Sequence, residues 1–290
     1  MIQVIKKKDE INRIIGNLKR EGKTIGLVPT MGFLHEGHIS LIEKSKEECD
    51  ITVISIFVNP VQFGPEEDLD RYPRDFERDR RLAEQKGADI IFYPESDEMY
   101  AGNHLTYVNV EKLEKIMCGK FRPGHFRGVC TVVLKLFNII EPDKAYFGLK
   151  DFQQLAILKK MVSDLDIKIQ IAECETVREP DGLAMSSRNS YLNNTERKNA
   201  NILFRAISLA ENEIKKGKSI ETARRKAIRM LKECVFVKKI DYFDIRDPED
   251  LKILKKPDKE KSKILIASAI WFGKTRLIDN KVADISLYGS

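Results

Sequence analysis

Residues 24–38 read TIGLVPTMGFLHEGH, and this stretch decides the predicted fold. The apolar run TIGLVP (24–29) is typical of a buried strand, the chain then turns through residues 30–32, and a helix is expected to begin within the last three residues of the stretch. Two of the chain's four histidines, His35 and His38, are three residues apart and therefore share a face of the first helical turn. The pattern predicts a strand-to-helix turn with two imidazoles at the helix N-terminus.

Strand-like runs and helical patterns alternate through the first two-thirds of the chain. The strand-like runs are TIGLVP (24–29), ITVISIFV (51–58), ADIIFYP (88–94), KAYFG (144–148) and IKIQIAECE (167–175). The helical patterns are ISLIEKSKEECD (39–50), FERDRRLAEQKG (76–87), GVCTVVLKLFNIIEPD (128–143) and DFQQLAILKKMVSDL (151–165). Apolar strands that alternate with helices favour an α/β fold, and we expect a Rossmann-like parallel sheet with helices on both faces. Sheets of this kind bind ligands at the carboxyl ends of their strands.

The sequence pattern changes near residue 185, and we place a domain boundary there, between residues 1–184 and 185–290. A single long helix is predicted over TERKNANILFRAISLAENEIKKG (195–217), with Asn194 or Thr195 as its N-cap. The remaining segments are a helix SIETARRKAIRMLKEC (219–234), strands KKIDYFDIRD (238–247) and KILIASAIWFG (263–273), and a charged loop KKPDKEKSK (255–263). The second domain is therefore expected to be a smaller α+β unit.

Length and composition narrow the class of protein. The chain has 290 residues, of which 42% are hydrophobic and 33% are charged, as in a soluble globular protein. Its 51 basic and 45 acidic residues give a net charge of +6, which is too mild to indicate a nucleic-acid-binding protein and suits anionic small substrates equally well. We expect no signal peptide or membrane span, and five dispersed cysteines without a CxxC pair indicate reduced thiols in the cytoplasm.

The turn that holds the two histidines favours phosphate binding. A helix N-terminus has unpaired N–H groups and a partial positive charge, and two imidazoles add further donors. Gly32 and Gly37 remove Cβ atoms where a ligand would approach the backbone. Two other interpretations stay open: the imidazoles could be zinc ligands, although no third ligand is nearby, or plain surface groups. The GxGxxG fingerprint and the GxxxxGK[ST] P-loop are both absent, which disfavours a dinucleotide dehydrogenase and a P-loop enzyme.

The stretch HEGH (35–38) resembles the HxGH element of the nucleotidyl-transferase superfamily, which includes the class I aminoacyl-tRNA synthetases. Longer segments are similar in order and spacing to the pantothenate synthetase family: PTMGFLHEGH (29–38), FVNPVQFG (57–64), YPRD (72–75), RPGHFRGV (122–129), YFGLKDFQQL (146–155) and REPDGLAMSSRNSYL (178–192). The similarity covers most of residues 24–192, and the last hundred residues resemble the family's smaller domain in pattern only.

The resemblance implies a two-step reaction that joins pantoate to β-alanine with ATP. The pantoate carboxylate attacks the α-phosphorus, giving pantoyl adenylate and pyrophosphate, and the β-alanine amine then attacks the acyl carbon and releases AMP. Such chemistry depends on positioning and on fixed donors that stabilise negative charge. Because the adenylate hydrolyses easily, the site should exclude water, and we expect the C-terminal domain to act as a lid.

The resemblance also implies an ATP site made of several chain segments. Its catalytic residues are His35, His38 and Lys150, with His38 as the residue that the family treats as proton donor, and the segment MSSR (185–188) is similar to the KMSKS loop of the superfamily. The implied ATP-binding residues are Met31, Gly32, Phe33, Leu34, His35, Glu36, Gly37, His38, Gly148, Leu149, Lys150, Asp151, Val177, Met185, Ser186, Ser187 and Arg188. Taken alone, Lys150 with Asp151 fits an ordinary helix start, and the two serines fit an N-cap before a turn.

Neutral amides suit the site of an anionic hydroxy acid, because a carboxylate would repel the substrate in a desolvated pocket. By resemblance, Gln62 and Gln154 bind pantoate and Gln62 also lies near β-alanine, while Asn59 stands at a strand end where it can do similar work. Magnesium should accompany ATP, and this ion prefers phosphate oxygens, waters and one or two carboxylates. The resemblance places Asp79 near that ion, although FERDRRL (76–82) lacks the double acid of some relatives.

Two competing functions keep part of this pattern. A nucleotidyltransferase would use the same fold but leave the adenylyl group on its acceptor. A nucleic-acid-binding module would use the basic C-terminal helices, although the acids interleaved in them favour solvated faces. The resemblance instead implies small-molecule substrates, no nucleic acid, no membrane and a homodimer in the cytoplasm.

Overall fold

The computed structural model describes residues 2–256 and 262–285, so most of the predicted charged loop 255–263 lies outside the described residues. Their internal contacts divide the chain into two compact units, which are Met1–Leu149 with Gln154–Val177 (unit 1) and Lys150–Gln153 with Arg178–Ser290 (unit 2). The predicted domain boundary at 184/185 stays a prediction. No helix of the described part is long and apolar enough to cross a membrane.

Unit 1 contains a sheet of six strands in the order β1-β4-β3-β2-β5-β6, and every pair of neighbours is parallel. The strands are β1 (Gln3–Ile5), β2 (Ile25–Thr30), β3 (Ile51–Ile56), β4 (Ile90–Phe92), β5 (Lys144–Gly148) and β6 (Gln170–Cys174). This topology confirms the predicted Rossmann-like parallel sheet. The five predicted strands are all present, and β1 at the sheet edge was not predicted.

Helices flank this sheet and connect its strands. They are α1 (Lys8–Arg20), α2 (Glu36–Glu48), α3 (Phe76–Gln85), α4 (Ser96–Met99), α5 (Met117–Phe121), α6 (His125–Ile140) and α7 (Phe152–Asp164). Helix α2 lies so close to β2 that a Cβ atom on Gly26 would overlap the Ser45 hydroxyl. The close approach fixes α2 against the strand that precedes it, and therefore fixes where its N-terminus lies.

Unit 2 contains a second, antiparallel sheet in the order β7-β8-β9. Its elements are α8 (Asn194–Asn199), α9 (Ile202–Lys215), α10 (Ile220–Glu233), β7 (Val237–Arg246), β8 (Lys263–Phe272) and β9 (Thr275–Asp284). Helices α9 and α10 contact the sheet and each other around an apolar core that includes Leu203, Ile207, Phe243 and Ile266. The unit is α+β, as predicted, but β9 was not predicted.

The predicted helix 195–217 is wrong in two respects. It is divided into α8 and α9 by a turn at residues 200–201, where the Ala200 N–H donates to Arg197 O at 3.4 Å, three residues back. Its N-cap is Asn193 rather than Asn194 or Thr195. The Asn193 side chain accepts from two backbone N–H groups, and the Glu196 carboxylate accepts the Asn193 N–H at 3.0 Å, which completes a capping box.

Candidate active site

The turn between β2 and α2 is held by a buried carboxylate from α3. Gly32 and Phe33 have φ angles of 82° and 50°, both in the left-handed region. The Asp79 carboxylate accepts the Phe33 N–H at 2.6 Å and the Leu34 N–H at 2.7 Å. A Cβ atom on Gly32 would lie 3.0 Å from an Asp79 oxygen and from the Ile56 side chain, so glycine is required on both conformational and steric grounds.

The two histidines cap the helix that follows this turn. The His35 Nδ1 accepts the Gly37 N–H at 3.1 Å, and the His38 Nδ1 accepts the His35 N–H at 3.4 Å, which makes a capping box built from imidazoles. The rings stack with centroids 4.0 Å apart. Since each Nδ1 is an acceptor, the hydrogen of each neutral ring is assigned to Nε2 from the hydrogen-bond network. Both rings are therefore donors through Nε2.

These contacts correct the expectation that unpaired backbone N–H groups would cradle phosphate. Besides the N–H groups that Asp79 and the imidazoles bind, the Gly32 N–H donates to Thr30 Oγ1 at 3.1 Å and the His38 N–H donates to His35 O at 2.7 Å. The backbone of the turn is thus largely satisfied by the protein itself. Side chains of the turn, above all the two imidazoles, are left as the groups that can meet an anion.

The surroundings of Asp79 argue against its predicted role as a magnesium ligand. The residue is 1% exposed, and both carboxylate oxygens accept backbone N–H groups. Burial raises the pKa of this carboxyl, against the opposing effect of the two N–H donors. A hydrated Mg²⁺ needs open oxygen ligands, so Asp79 does not fit it.

The Asn59 amide is fixed in one orientation by the backbone around it. Its Nδ2 donates to Gly128 O at 3.2 Å, and its Oδ1 accepts the Val61 N–H at 3.4 Å. A carbonyl only accepts and an N–H only donates, so these two contacts settle which end of the amide is which. The Tyr100 hydroxyl then donates to Asn59 Oδ1 at 2.8 Å. Asn59 is 1% exposed, so its side-chain amide makes its hydrogen bonds inside the protein.

The fixed amide of Asn59 sets the orientation of Gln62. Asn59 Nδ2 donates to Gln62 Oε1 at 3.0 Å, and the Gln62 Nε2 consequently turns the other way, where it approaches Met31 Sδ at 3.2 Å. Gln62 therefore presents its NH₂ group, a pure donor, on the side where Met31 lies. Gln62 and Asn59 belong to one short 3₁₀ turn, Pro60–Gln62 with Asn59 as its N-cap, directly after β3.

A cavity of about 170 Å³ opens at the carboxyl ends of β2, β3 and β4. Met31 lines it from the turn after β2, Phe57 and Val58 from the end of β3, and Tyr93 from the end of β4. Ligands of open parallel sheets bind at this edge. Met31, which also contacts Gln62, belongs to this lining, and the carboxylates of Asp75, Asp79 and Glu95 make the cavity itself acidic.

The other predicted residues of unit 1 follow the neighbouring strands β5 and β6. Gly148 ends β5, which pairs with β2, and Leu149 comes directly after it. Gln154 is half-buried in the first turns of α7, and Val177 follows β6. Because parallel strands end at the same edge of the sheet, these residues and the histidine turn lie along one edge of unit 1.

Unit 2 holds the remaining predicted residues as a separate group. Lys150 has a side chain that is 21% exposed, with its Nζ 3.8 Å from Asp151. Ser186 is the N-cap of a 3₁₀ turn, Ser187–Tyr191, and accepts the Arg188 N–H at 3.3 Å. The N-cap interpretation of the serine pair therefore holds for Ser186, and a residue at an N-cap can also meet a ligand.

Several residues that shape these groups were not singled out from the sequence. They are Tyr100, Arg178, Asp279 and Asn280, each of which contacts a predicted site residue or its segment. The one signal in the sequence was the pair of polar residues in RLIDN (276–280), which is unusual for a buried strand. Nothing in the sequence linked Tyr100 to Asn59.

Comparisons with known proteins identify the family of the chain. The sequence model of the family described as pantoate-beta-alanine ligase matches residues 3–282. A pantothenate synthetase of Caldicellulosiruptor saccharolyticus is 55% identical over 97% of this chain and 99% of that relative. The crystal structure of the pantothenate synthetase of Thermus thermophilus is 40% identical, has a TM-score of 0.91 and covers 97% of this chain and 99% of that one.

A further similar solved structure is described as a complex with ligands. It is the pantoate-beta-alanine ligase of Francisella tularensis, described as complexed with beta-gamma ATP and beta-alanine. It is 33% identical to this chain, has a TM-score of 0.80, and covers 97% of this chain and 98% of that one.

Proposed function

Because the chain belongs to the pantoate-beta-alanine ligase family, and so is a ligase that condenses pantoate with β-alanine at the expense of ATP, we propose that its side chains drive this reaction through a pantoyl-adenylate intermediate. AMP and pyrophosphate are then the products beside pantothenate. The observation that carries this proposal is the pair of imidazoles that cap the α2 N-terminus, each of which accepts a backbone N–H on Nδ1 and is therefore assigned its hydrogen on Nε2.

In the first step, a pantoate carboxylate oxygen attacks the α-phosphorus of ATP and the bond to the bridging oxygen of pyrophosphate breaks. Negative charge grows on the phosphate oxygens during this step, and fixed donors lower its free energy. We assign that role to the Nε2 hydrogens of His35 and His38 and to the Lys150 ammonium. Met31 to His38, Gly148 to Asp151, Val177 and Met185 to Arg188 are proposed to bind ATP.

In the second step, the β-alanine amine attacks the acyl carbon of the adenylate, the acyl–oxygen bond breaks, and AMP leaves. The attacking nitrogen gives up a proton to form the amide. Gln62 and Gln154 are proposed to hold pantoate through both steps. The orientation of Gln62 supports this assignment, since the Asn59 contact directs its NH₂ group towards Met31 and an NH₂ group is the correct partner for a carboxylate.

Three accompanying proposals rest on the family resemblance. A magnesium ion that enters with ATP is held by phosphate oxygens and waters rather than by Asp79, whose oxygens are engaged by the backbone. The protein acts as a homodimer, and light scattering after gel filtration would test this oligomeric state. Its location is the cytoplasm. Its partners are small molecules, with no nucleic acid and no membrane among them.

The nucleotide product tests the proposed reaction. The purified protein is incubated with ATP, pantoate and β-alanine, and the nucleotides are separated and quantified. We expect AMP and pyrophosphate in equal amounts with pantothenate, and no AMP when pantoate is left out. ADP as the product, or a stable product that retains the adenylyl group, would contradict the proposal.

A further inference from the structure

Strand β9 of unit 2 carries two buried polar residues that the proposed reaction does not use. Asp279 and Asn280 are 4% and 7% exposed, and they pair across the sheet with Ser268 and Ala267. Buried polar side chains cost free energy unless their hydrogen bonds are satisfied, so the partners of these two residues indicate what they do.

Asn280 holds the backbone of the proposed ATP-binding lysine. Its Nδ2 donates to Lys150 O at 2.7 Å, and because a carbonyl only accepts, the orientation of this amide is settled. The acceptor lies in a short 3₁₀ turn, Leu149–Asp151, directly before α7. Residues Lys150–Gln153 are grouped with unit 2 by their contacts, so this bond lies within one compact unit.

Asp279 connects Asn280 to a second chain segment, which begins at Arg178. Its carboxylate binds Arg178 bidentately, with distances of 2.7 and 2.9 Å, and also accepts the Asn280 N–H at 2.7 Å. Arg178 in turn donates to Asn280 O at 3.2 Å and to Gly182 O at 3.1 Å. Burial raises the pKa of the Asp279 carboxyl, while Arg178 and the charge of Lys150 act to lower it.

Arg178 leads into the loop that carries the serine pair. Its guanidinium lies over the Phe204 ring at 4.5 Å, and Gly182, with φ of 94°, packs so closely on this ring that a Cβ atom would overlap it. The loop from residue 178 to 184 is therefore fixed directly before Met185–Arg188.

We propose that Arg178, Asp279 and Asn280, which we call the β9 clamp, are positioning residues that hold Lys150 and the loop before Met185 in one fixed geometry. The inference rests on the proposed function, under which the clamp keeps two ATP-binding segments, distant in the chain, at a constant spacing. A lysine side chain has four rotatable bonds, so its ammonium is placed only if its backbone is fixed. Misplacement by about 1 Å can cost a hundredfold in rate.

The test removes the bond to Lys150 without touching any proposed ligand. We expect Asn280→Ala to lower kcat/KM for ATP by roughly tenfold to a hundredfold, with the KM for pantoate within about twofold of the wild type. Asn280→Asp has the same volume but turns an oxygen towards Lys150 O, and it should be at least as impaired. Asn280→Asp also tests the inference if the alanine variant does not fold. Asn199→Ala, which removes an asparagine-to-carbonyl bond elsewhere in unit 2, is the matched control and should leave these constants unchanged.

A double-mutant cycle with Lys150→Ala shows whether Asn280 acts through Lys150 or independently of it. If the clamp acts through Lys150, adding Asn280→Ala to Lys150→Ala changes kcat/KM for ATP by less than about twofold. Should Lys150→Ala alone leave turnover unchanged, the proposed role of Lys150 fails. Should Lys150→Ala be impaired while both Asn280 variants keep the wild-type kcat/KM for ATP, with or without a lower melting temperature, the clamp is merely structural and the inference is overturned.

Discussion

His38 and His35 each receive a backbone N–H on Nδ1, and this local contact decides what the rings offer to a ligand. The two rings stack with their centroids 4.0 Å apart. Rings that both donate through Nε2 are consistent with the two backbone contacts. What the His35 and His38 rings can donate to a ligand depends on which nitrogen of each ring carries the hydrogen.

Substitution of His38 by the two amide residues tests this tautomer. Glutamine places an NH₂ group near the position of Nε2, whereas asparagine places one near Nδ1. We expect His38→Ala and His38→Asn to lower kcat by about 10²–10³-fold, as loss of one charge-stabilising donor does, and His38→Gln to retain about tenfold more activity than His38→Asn. Steady-state assays of the three variants supply the comparison. Equal or higher activity of the asparagine variant would mean that the ring donates through Nδ1.

Tyr100 is expected to affect pantoate binding indirectly, through the side-chain amides of Asn59 and Gln62. Its hydroxyl supports Asn59, which in turn orients Gln62, so Tyr100→Phe leaves the Asn59 oxygen with only the longer contact to Val61. We expect a rise of about fivefold in the KM for pantoate, the value of one hydrogen bond, with the KM for ATP unchanged.

Tyr107→Phe is the matched control for this prediction. The Tyr107 ring contacts His104 and the Arg127 guanidinium, whereas the hydroxyl that donates to Asn59 is that of Tyr100. Initial rates at varied pantoate concentration distinguish the two variants. An unchanged KM for pantoate in Tyr100→Phe would show that Asn59 keeps its orientation without the tyrosine.

At the scale of elements, Glu48 fastens the C-terminal end of α2 to β5. Its carboxylate lies 2.9 Å from Lys44 Nζ and 3.1 Å from Lys144 Nζ, and it accepts the Tyr146 hydroxyl at 3.1 Å. These hydrogen bonds, from Lys44 first and then Lys144, lower the pKa of Glu48 from 4.5 to about 2. The other end of the same helix carries the two histidines, so this attachment contributes to where they stand.

The lowered pKa of Glu48 predicts how stability depends on pH. Since the folded-state pKa lies below the unfolded value, the stabilisation is complete above about pH 4.5 and is lost as the pH falls towards 2. Glu48→Gln should reduce the free energy of unfolding by about 1 kcal/mol at pH 7, after allowance for solvent screening, and by less at pH 3.

Urea unfolding of both proteins at pH 7 and pH 3 measures this difference. Glu43→Gln, which breaks the exposed pair between Glu43 and Lys86, serves as the control and should change stability little at either pH. A deficit of Glu48→Gln that is equal at the two pH values would contradict the attachment.

The elements that the sequence revealed are those with strong local patterns. Strands β2 and β3 are continuous apolar runs, and α6 and α7 are long helices, so their type followed from periodicity and length. Strand β1 has only three residues and β9 reads TRLIDNKVAD, where polar residues hide the pattern because they bind other polar groups inside the fold. The place of β1 depends on β4, far away in the chain, whereas β9 forms a hairpin with β8.

The candidate site divides in the same way. The histidine turn, the amides and the serine pair were predicted from the family resemblance together with the donors and neutral amides that the chemistry calls for, and their roles stay predictions. The hydrogen-bond partners were not: Asp79 was predicted near a metal ion, yet it braces the turn through two backbone N–H groups. A carboxylate that binds an ion and one that binds a backbone look identical in sequence.

At the scale of the whole molecule, each compact unit has its own apolar core, and the cysteines report on these cores. All five cysteines are free; Cys49, Cys118, Cys130 and Cys174 are buried in unit 1, whereas Cys234 in unit 2 is partly exposed. Desolvation raises the pKa of Cys130 to about 12 and that of Cys174 to about 11. Only the thiolate reacts with a disulfide reagent, so burial suppresses both access and reactivity.

We therefore expect one thiol to react rapidly with a disulfide reagent in the native protein at pH 8, and five to react in denaturant. Because Cys234 is the partly exposed cysteine, Cys234→Ser should abolish the rapid phase and leave the slow phases unchanged. The four buried thiols should react only as unit 1 opens, at rates that rise together with urea concentration. Absorbance of the released thiolate gives both the count and the rates. Two or more rapid thiols, or a rapid phase that survives Cys234→Ser, would mean that unit 1 opens without the cooperative loss of its core.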